Sequence, residues 1–456
     1  MIDLHPKAIE HFNQQAEKLL YLVKPAPASQ PRKKKIETSD THKFVKNFPK
    51  DSILKMEKVS AIDGFGRQLE RYFHDNDQQI GFRENDFKEF EKLVLSLLDK
   101  YEISALLSKE FLEDTCIEWI EKRYKGIITN TITFIDHLLE ISKSEIINRT
   151  ISIPVNYLEI QEPFSVGKIK FDYFTKDYFD NLNKEIEGHW KERPDFDQSI
   201  FDNYFLRFRK QYQGKVFASA EVIGDKRKCI QIAISEAEQA ITIIRFFSPT
   251  ALIAEIPSYF GLMGKTKLPE QFLWIFENDQ EGPEVVEEMT ERRRHYWTID
   301  KIQLGHLKKL GLDHASELIT KEKLSQLEEL LLISITLFTR ALKSSSFHDK
   351  IVFALVSVET IFLKNSNEPI QQNIGQRLAF LLASNYEDRK SIIKTVQDAY
   401  MSRSSFIHHG NKTNDIEMVK PIQMLVWSAL RKILFMRSEF DTQEKLIQHL
   451  EKLILS

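Results

Sequence analysis

The stretch AYMSRSSFIHHGNK, residues 399–412, brings an arginine, two adjacent histidines and a glycine into one short run. Arg403 offers a planar fork of hydrogen-bond donors that matches a phosphate. His408 and His409 carry the side chain whose ordinary pKa lies near neutrality, so either can take or deliver a proton at physiological pH. Placed together, these residue types offer a cationic donor fork beside groups that can exchange protons.

The surrounding pattern is helical. Ile392, Val396, Tyr400, Arg403 and Ile407 follow one another at steps of four, four, three and four, an apolar stripe in which Arg403 stands where a leucine is expected. A guanidinium there is either paired inside a helical bundle or aimed into a cleft, because an unpaired buried charge costs too much. On an ideal helix His408 is rotated roughly 140° from Arg403, and His409 roughly 120° the other way. Gly410 suggests a resolution, since glycine is preferred just past a helix C-terminus. A helix loosening over 408–410 would let an imidazole swing beside the guanidinium, where the helix dipole favours its cationic form. An acidic residue repeats the oddity: Glu359 lies on the stripe Val352, Val356, Glu359, Leu363. It invites a pair with Arg403, with Arg377 as the competing partner. In the alternative reading Arg403 simply neutralises Glu359, and the histidines cap the helix.

Other segments carry weaker signals. GLMGKT, 261–266, ends like a phosphate-binding loop, but Tyr259 occupies the position of the first glycine. ERRRHYW, 291–297, has the composition of a stacking and phosphate-binding surface, yet EEMTE supplies acidic partners just before it. No spacing matches a metal site, and no motif asks for a cofactor.

The elements that must position these residues belong to a chain of 456 residues, long enough for two or three domains. Hydrophobic residues are 42% and charged residues 29% of it, an ordinary globular balance. Few Gly and Pro and long runs of helix formers predict a mainly α protein. The net charge of −3 gives the chain as a whole no attraction for nucleic acid, so a basic site must be local. Cys116 and Cys229 are far apart and fit neither a disulfide framework nor a zinc site. No leader pattern opens the sequence and no long apolar run interrupts it, so a cytoplasmic protein without membrane contact is expected.

Residues 7–23 predict an amphipathic helix, and 23–40 a Pro-rich linker ending in the basic run Arg32 to Lys35. Residues 85–147 are helical in period. TISIPVNYLEI, GKIKFDYF and KVFASAEVI predict strands; CIQIAISEAEQAITIIRFF predicts a strand passing into a helix, and TALIAEIPSYFGL one more strand. The rest is helical, at about 321–343, 350–363, 370–383, 387–407, 414–438 and 442–455, with short connections that imply an antiparallel bundle. The expected domains are 1–60 (helix and linker), 61–300 (helical plus α/β, regulatory or recognition) and 301–456 (helical bundle).

The order VSVETIFL, IQQNIGQRLAFLL and YEDRKSIIKTVQDAYMSRSSFIHHG resembles the C-terminal HEPN domain of the Apea-like group, over about residues 310–450. Tyr400, Arg403, Ser404, His408 and Gly410 match the motif as they stand, and Glu359 and Arg377 sit where that group tends to carry an acidic residue and an arginine. Counting from the arginine selects His408; counting back from the glycine selects His409. Ser404 stands where nuclease-active relatives often have Asn, Asp or His. The resemblance implies a HEPN-type helical bundle and a metal-independent endoribonuclease that leaves a 2′,3′-cyclic phosphate and a 5′-hydroxyl. It implies a homodimer with both motifs lining one cleft, and RNA as substrate, with tRNA favoured. Such proteins resemble bacterial anti-phage or toxin-type effectors, held inactive until a phage-derived or antitoxin trigger acts. Residues 403–437 hold six Lys or Arg against two Asp or Glu, and Lys412 and Lys420 are the expected RNA contacts. The competing expectation is a non-catalytic HEPN scaffold that dimerises and binds RNA or a protein.

Overall fold

The structure, a computed structural model, describes residues 2–26, 58–62, 68–75, 78–192, 196–265, 272–279, 282–289, 296–365, 367–409 and 416–455. The side chains of 58–62, 189, 272–279, 282–289 and 409 fall outside that description. So do Arg32 to Lys35, Thr266, residues 291–295, Gly410 and Lys412. The described chain is mostly helical, with a strand-containing middle and a helical C-terminal stretch.

It divides into two compact units, one of Met1–Arg149 with Val222–Ile232 and one of Thr150–Glu221 with Ala233–Ser456. Neither residue 60 nor residue 300 marks an edge of a unit, and the C-terminal helices share theirs with the α/β segment.

In the first unit α1 (Pro6–Leu20) starts on a proline, whose missing N–H costs nothing at that position, and buries Phe12, Ala16 and Leu19 on one face. A four-stranded antiparallel sheet has the order β1 (Lys24–Pro25), β4 (Gln78–Arg83), β3 (Gln68–Asp75), β2 (Lys58–Ile62). Gly81 on β4 is required there, because a Cβ would lie 2.1 Å from the carbonyl oxygen of Arg71 on β3. Helices α2 (Glu84–Leu98), α3 (Tyr101–Ser104), α4 (Lys109–Tyr124) and α5 (Phe134–Glu145) complete the unit. Trp119 is fully buried among them and donates its indole N–H to the Ile132 carbonyl at 3.2 Å. Asp225, 2% exposed, accepts from the Ser108 backbone N–H at 2.6 Å and hydroxyl at 3.0 Å.

The second unit holds a five-stranded sheet of order β10 (Gly261–Leu262), β5 (Ile147–Asn156), β9 (Val216–Gly224), β8 (Ile169–Tyr173), β7 (Phe164–Val166). The pair β6 (Leu158–Ile160) and β13 (Trp297–Ile299) is parallel, and β11 (Phe272–Asp279) and β12 (Gly282–Met289) form a hairpin. Helices α6 (Lys176–Lys191) and α7 (Gln198–Tyr212) gather Phe174, Phe179, Phe201, Phe205 and Phe217 into a separate aromatic core. Two expectations are corrected here. CIQIAISEAEQAITIIRFF contains no strand but lies in α8 (Lys226–Phe246), because Cys229, Ala233, Ala237, Ala240 and Ile244 share a buried helical face despite the local alternation. TALIAEIPSYFGL yields only the 3-10 turn Pro249–Ala251 and the two residues of β10; Pro257 cannot donate to a ladder.

The C-terminal helices are α9 (Lys301–Leu310), α10 (Leu312–Thr320), α11 (Gln326–Lys343), α12 (Phe347–Phe362), α13 (Ile370–Leu382), α14 (Tyr386–His409), α15 (Ile416–Met436) and α16 (Gln443–Leu455). From α11 onward they match the expected spans within a few residues. Helix α15 is bolted to the α/β segment by Trp427, which donates to the Phe246 carbonyl at 2.8 Å, and by Gln423, which donates to the Thr250 and Ala251 carbonyls at 2.8 and 3.1 Å. No helix among the described residues is long and apolar enough to cross a membrane.

Candidate functional site

Helix α12 carries Glu359 one turn before its C-terminus, where the last carbonyls lack intrahelical donors. Gln443 on α16 fills that need, donating to the carbonyls of Thr360, Ile361 and Leu363 at 3.0, 3.1 and 2.8 Å. Arg377 on α13 adds a bond to the Phe362 carbonyl. The end of α12 is therefore held rigidly, and Glu359 with it.

Across from it, Asn385 caps α14 by accepting from the Asp388 N–H at 2.9 Å, and Val396 and Ala399 are buried. Tyr400 and Arg403 follow on the same face. One carboxylate oxygen, Oε1 of Glu359, accepts from Tyr400 Oη at 2.7 Å and from Arg403 Nη1 at 2.5 Å. The Arg403 guanidinium carbon lies 6.0 Å from the centre of the Tyr400 ring. Burial, and then the Glu359 charge, push the Tyr400 phenol well above its ordinary pKa, so it remains a donor.

The Arg403 side chain is 26% exposed and that of Glu359 17%. Among the described residues no other acceptor takes a hydrogen bond from Arg403, and a guanidinium has five donors. The anchored cation thus keeps an open edge toward solvent. The apolar stripe ends here: Ile407, expected to continue it, is exposed.

The competition for Glu359 is decided. Arg377 is 3% exposed and turns away to Glu368, at 2.7 and 3.1 Å, and to Glu451 at 3.1 Å. Its position is structural, at the junction of α12, α13 and α16. The loosening expected over 408–410 does not begin by His409, which is still helical. His408 is exposed, on a helical path about 140° around from Arg403. Ser404 is also exposed. The basic segment after residue 403 is largely engaged internally: Arg431 donates to the Leu310 carbonyl, Lys432 to the Leu381 carbonyl, and Arg437 to Glu317. Lys420 is exposed on α15.

Beside the motif, His348 at the start of α12 stacks on Phe406 of α14, with ring centres 4.2 Å apart. Sequence reasoning passed over this buried histidine, since a single imidazole outside a motif carries no spacing signal. Comparisons with protein-family models, curated proteins and solved structures each return no match.

Proposed function

We propose that the protein is a metal-independent endoribonuclease of the HEPN type, with Arg403 as the phosphate-binding residue and His408 or His409 as the acid/base. The observation that carries this reading is the half-open Arg403, oriented by a carboxylate that also takes the Tyr400 hydroxyl. A guanidinium held in this way retains donors for a scissile phosphate. The histidine removes the proton from a 2′-hydroxyl, which attacks the adjacent phosphorus; a protonated imidazole delivers a proton to the departing 5′-oxygen. The products are a 2′,3′-cyclic phosphate and a 5′-hydroxyl. Because His408 stands well around the helix from Arg403, a second copy is expected to complete the site, His408 of one protomer reaching the phosphate held by Arg403 of its partner. Structured RNA, tRNA first, is the expected substrate, and an anti-phage or toxin-type role held in check until a trigger acts fits such an activity.

The test is incubation of the purified protein with total tRNA in EDTA, beside Arg403→Ala, His408→Ala and His409→Ala. Cleavage lost in the arginine variant and in one histidine variant supports the reading and selects the histidine. Cleavage that survives Arg403→Ala and the double histidine variant overturns it.

A second reading is favoured by the same ion pair: a scaffold in which Arg403 serves only to bind α14 to α12. It predicts a folded dimer that binds RNA and never cuts it, with or without Arg403.

A further inference from the structure

A second cluster of cations lies in the α/β-to-helix part of the second unit, remote in sequence from the motif. A cavity of about 270 Å³ opens between α8, α11 and the segment 258–265. Its walls are fixed: the Ser258 N–H donates to the Leu342 carbonyl at 2.7 Å, and Phe246 packs edge-on against Phe338. Arg245 lines it, 5% exposed, beside the equally buried Thr339. Lys265, Arg340 and Lys343 line it too, all three exposed. Glu238 is the one carboxylate among the lining residues.

The charge here is not balanced. Arg245 donates to the Ser258 hydroxyl at 3.1 Å and to the Phe260 carbonyl, both neutral acceptors, and its guanidinium lies 5.0 Å from the centre of the Phe260 ring. Among the described residues, none of the four cations forms an ion pair. Burial pushes the Arg245 guanidinium down only to about 10, so it remains charged at neutral pH. Burial and then the Arg245 charge lower the pKa of Lys343, as expected for cations crowded into one space. A desolvated charge without a counter-charge is costly, and structures retain such arrangements where an anion compensates them.

We propose that this cavity binds a small phosphate-bearing molecule, its phosphate held between Arg245 at the floor and Lys343, Arg340 and Lys265 at the rim. Arginine suits the planar approach to two phosphate oxygens, and lysines supply mobile point charges around it. The volume accommodates one or two phosphate groups on a small organic body and is too small for a dinucleotide. GLMGKT supplies Gly261, Leu262 and Lys265 to the lining, although it lacks the full phosphate-loop pattern. Its four cations come from three separate segments of the chain, which is why no contiguous pattern announces the site.

The experiment is titration calorimetry of the full-length protein with pyrophosphate, AMP and ATP, with adenosine as the uncharged control and a ten-nucleotide RNA as the polymeric one. The expected result is saturable binding of at least one phosphorylated small molecule, none of adenosine, and a rise in Tm that grows with ligand concentration. Lys343→Gln and Arg340→Gln, both at exposed positions, should each weaken binding about tenfold while leaving the unliganded Tm in place. Arg245→Lys serves as a further variant, but its bonds to Ser258 and Phe260 make it a test of folding as well. Absence of binding by all three small phosphates overturns the proposal, as does equal affinity in wild type and the rim variants. Binding of the RNA alone, lost in the rim variants, overturns it in favour of a polymer contact. None of these readouts depends on cleavage.

Discussion

Arg403 Nη1 lies 2.5 Å from Oε1 of Glu359, joining α14 to α12 through a pair that water still reaches. Exposed pairs contribute less than about 1 kcal/mol, and breaking fully buried ones costs about 3–5 kcal/mol. With its partial exposure this pair falls between, so Arg403→Ala should destabilise by about 1–2 kcal/mol. A double-mutant cycle with Glu359→Gln, read by urea denaturation, should give a coupling of about 1 kcal/mol. In the catalytic reading Glu359→Gln keeps the guanidinium but loosens its aim, and cleavage falls by about a hundredfold instead of vanishing. Unchanged cleavage in Glu359→Gln would remove Glu359 from the positioning of Arg403.

Arg377 behaves differently because it is enclosed. It satisfies Glu368, Glu451 and the Phe362 carbonyl together. Arg377→Met leaves all three short of a donor and should cost about 3–5 kcal/mol, measured by the shift in denaturant midpoint. Arg377→Lys should recover less than half, since an ammonium cannot reproduce the forked contact. The contrast with Arg403→Ala separates an enclosed arginine that maintains the bundle from one that water still reaches.

The same arginine sets part of the acid limit. Its hydrogen bond holds the Glu368 carboxyl below the ordinary value of 4.5. Glu451 is lowered as well, first by Lys364 and then by Arg377. Folded pKa values below the unfolded one mean stability that is fully present above about pH 5 and is lost as pH falls below 4.5 through the folded values. Denaturation curves from pH 6 to 3 should fall more steeply in wild type than in Arg377→Met.

Lys350 gives a second rise of stability with pH, at the alkaline end. It is 1% exposed, its ammonium has no hydrogen-bond partner among the described residues, and burial pushes it down to about 8. The unfolded chain then holds a proton that the folded one releases, so stability rises with pH from about 8 to 10. Above that, Tyr400 and Tyr72 reverse the trend, because their pKa values are raised by folding. Lys350→Met should remove most of the rise, leaving the part due to Lys343, and stabilise the protein at pH 7 by roughly 2–3 kcal/mol. A flat wild-type profile over that window would show Lys350 to be solvated.

The helices were legible where apolar residues kept one period long enough to exclude a strand. In α12, Ile351, Ala354, Leu355, Val358 and Phe362 leave no other reading, and the polar exceptions Glu359 and Arg403 identified each other across the bundle. Helix α8 was misread over CIQIAI because six residues satisfy both periods, and only Ala233, Ala237 and Ala240 decide. The hairpin of β3 and β4 was missed because its core residues Phe73, Ile80 and Phe82 are few, Phe73 follows Glu70 and Arg71, and the close approach at Gly81 carries no side chain to see. Helix α6 was readable from Phe179, Leu182, Ile186 and Trp190 but passed unassigned. The Arg245 cavity could not have been found in this way, since its residues converge only after folding.

The eleven residues Val222–Ile232 belong to the first unit although the rest of that unit ends at Arg149. A crossover between genes at residue 150 would therefore inherit Ser108 without Asp225, and leave the helix-starting carboxylate of the other parent facing a stranger. A cut at one point of the sequence therefore cannot separate the two units.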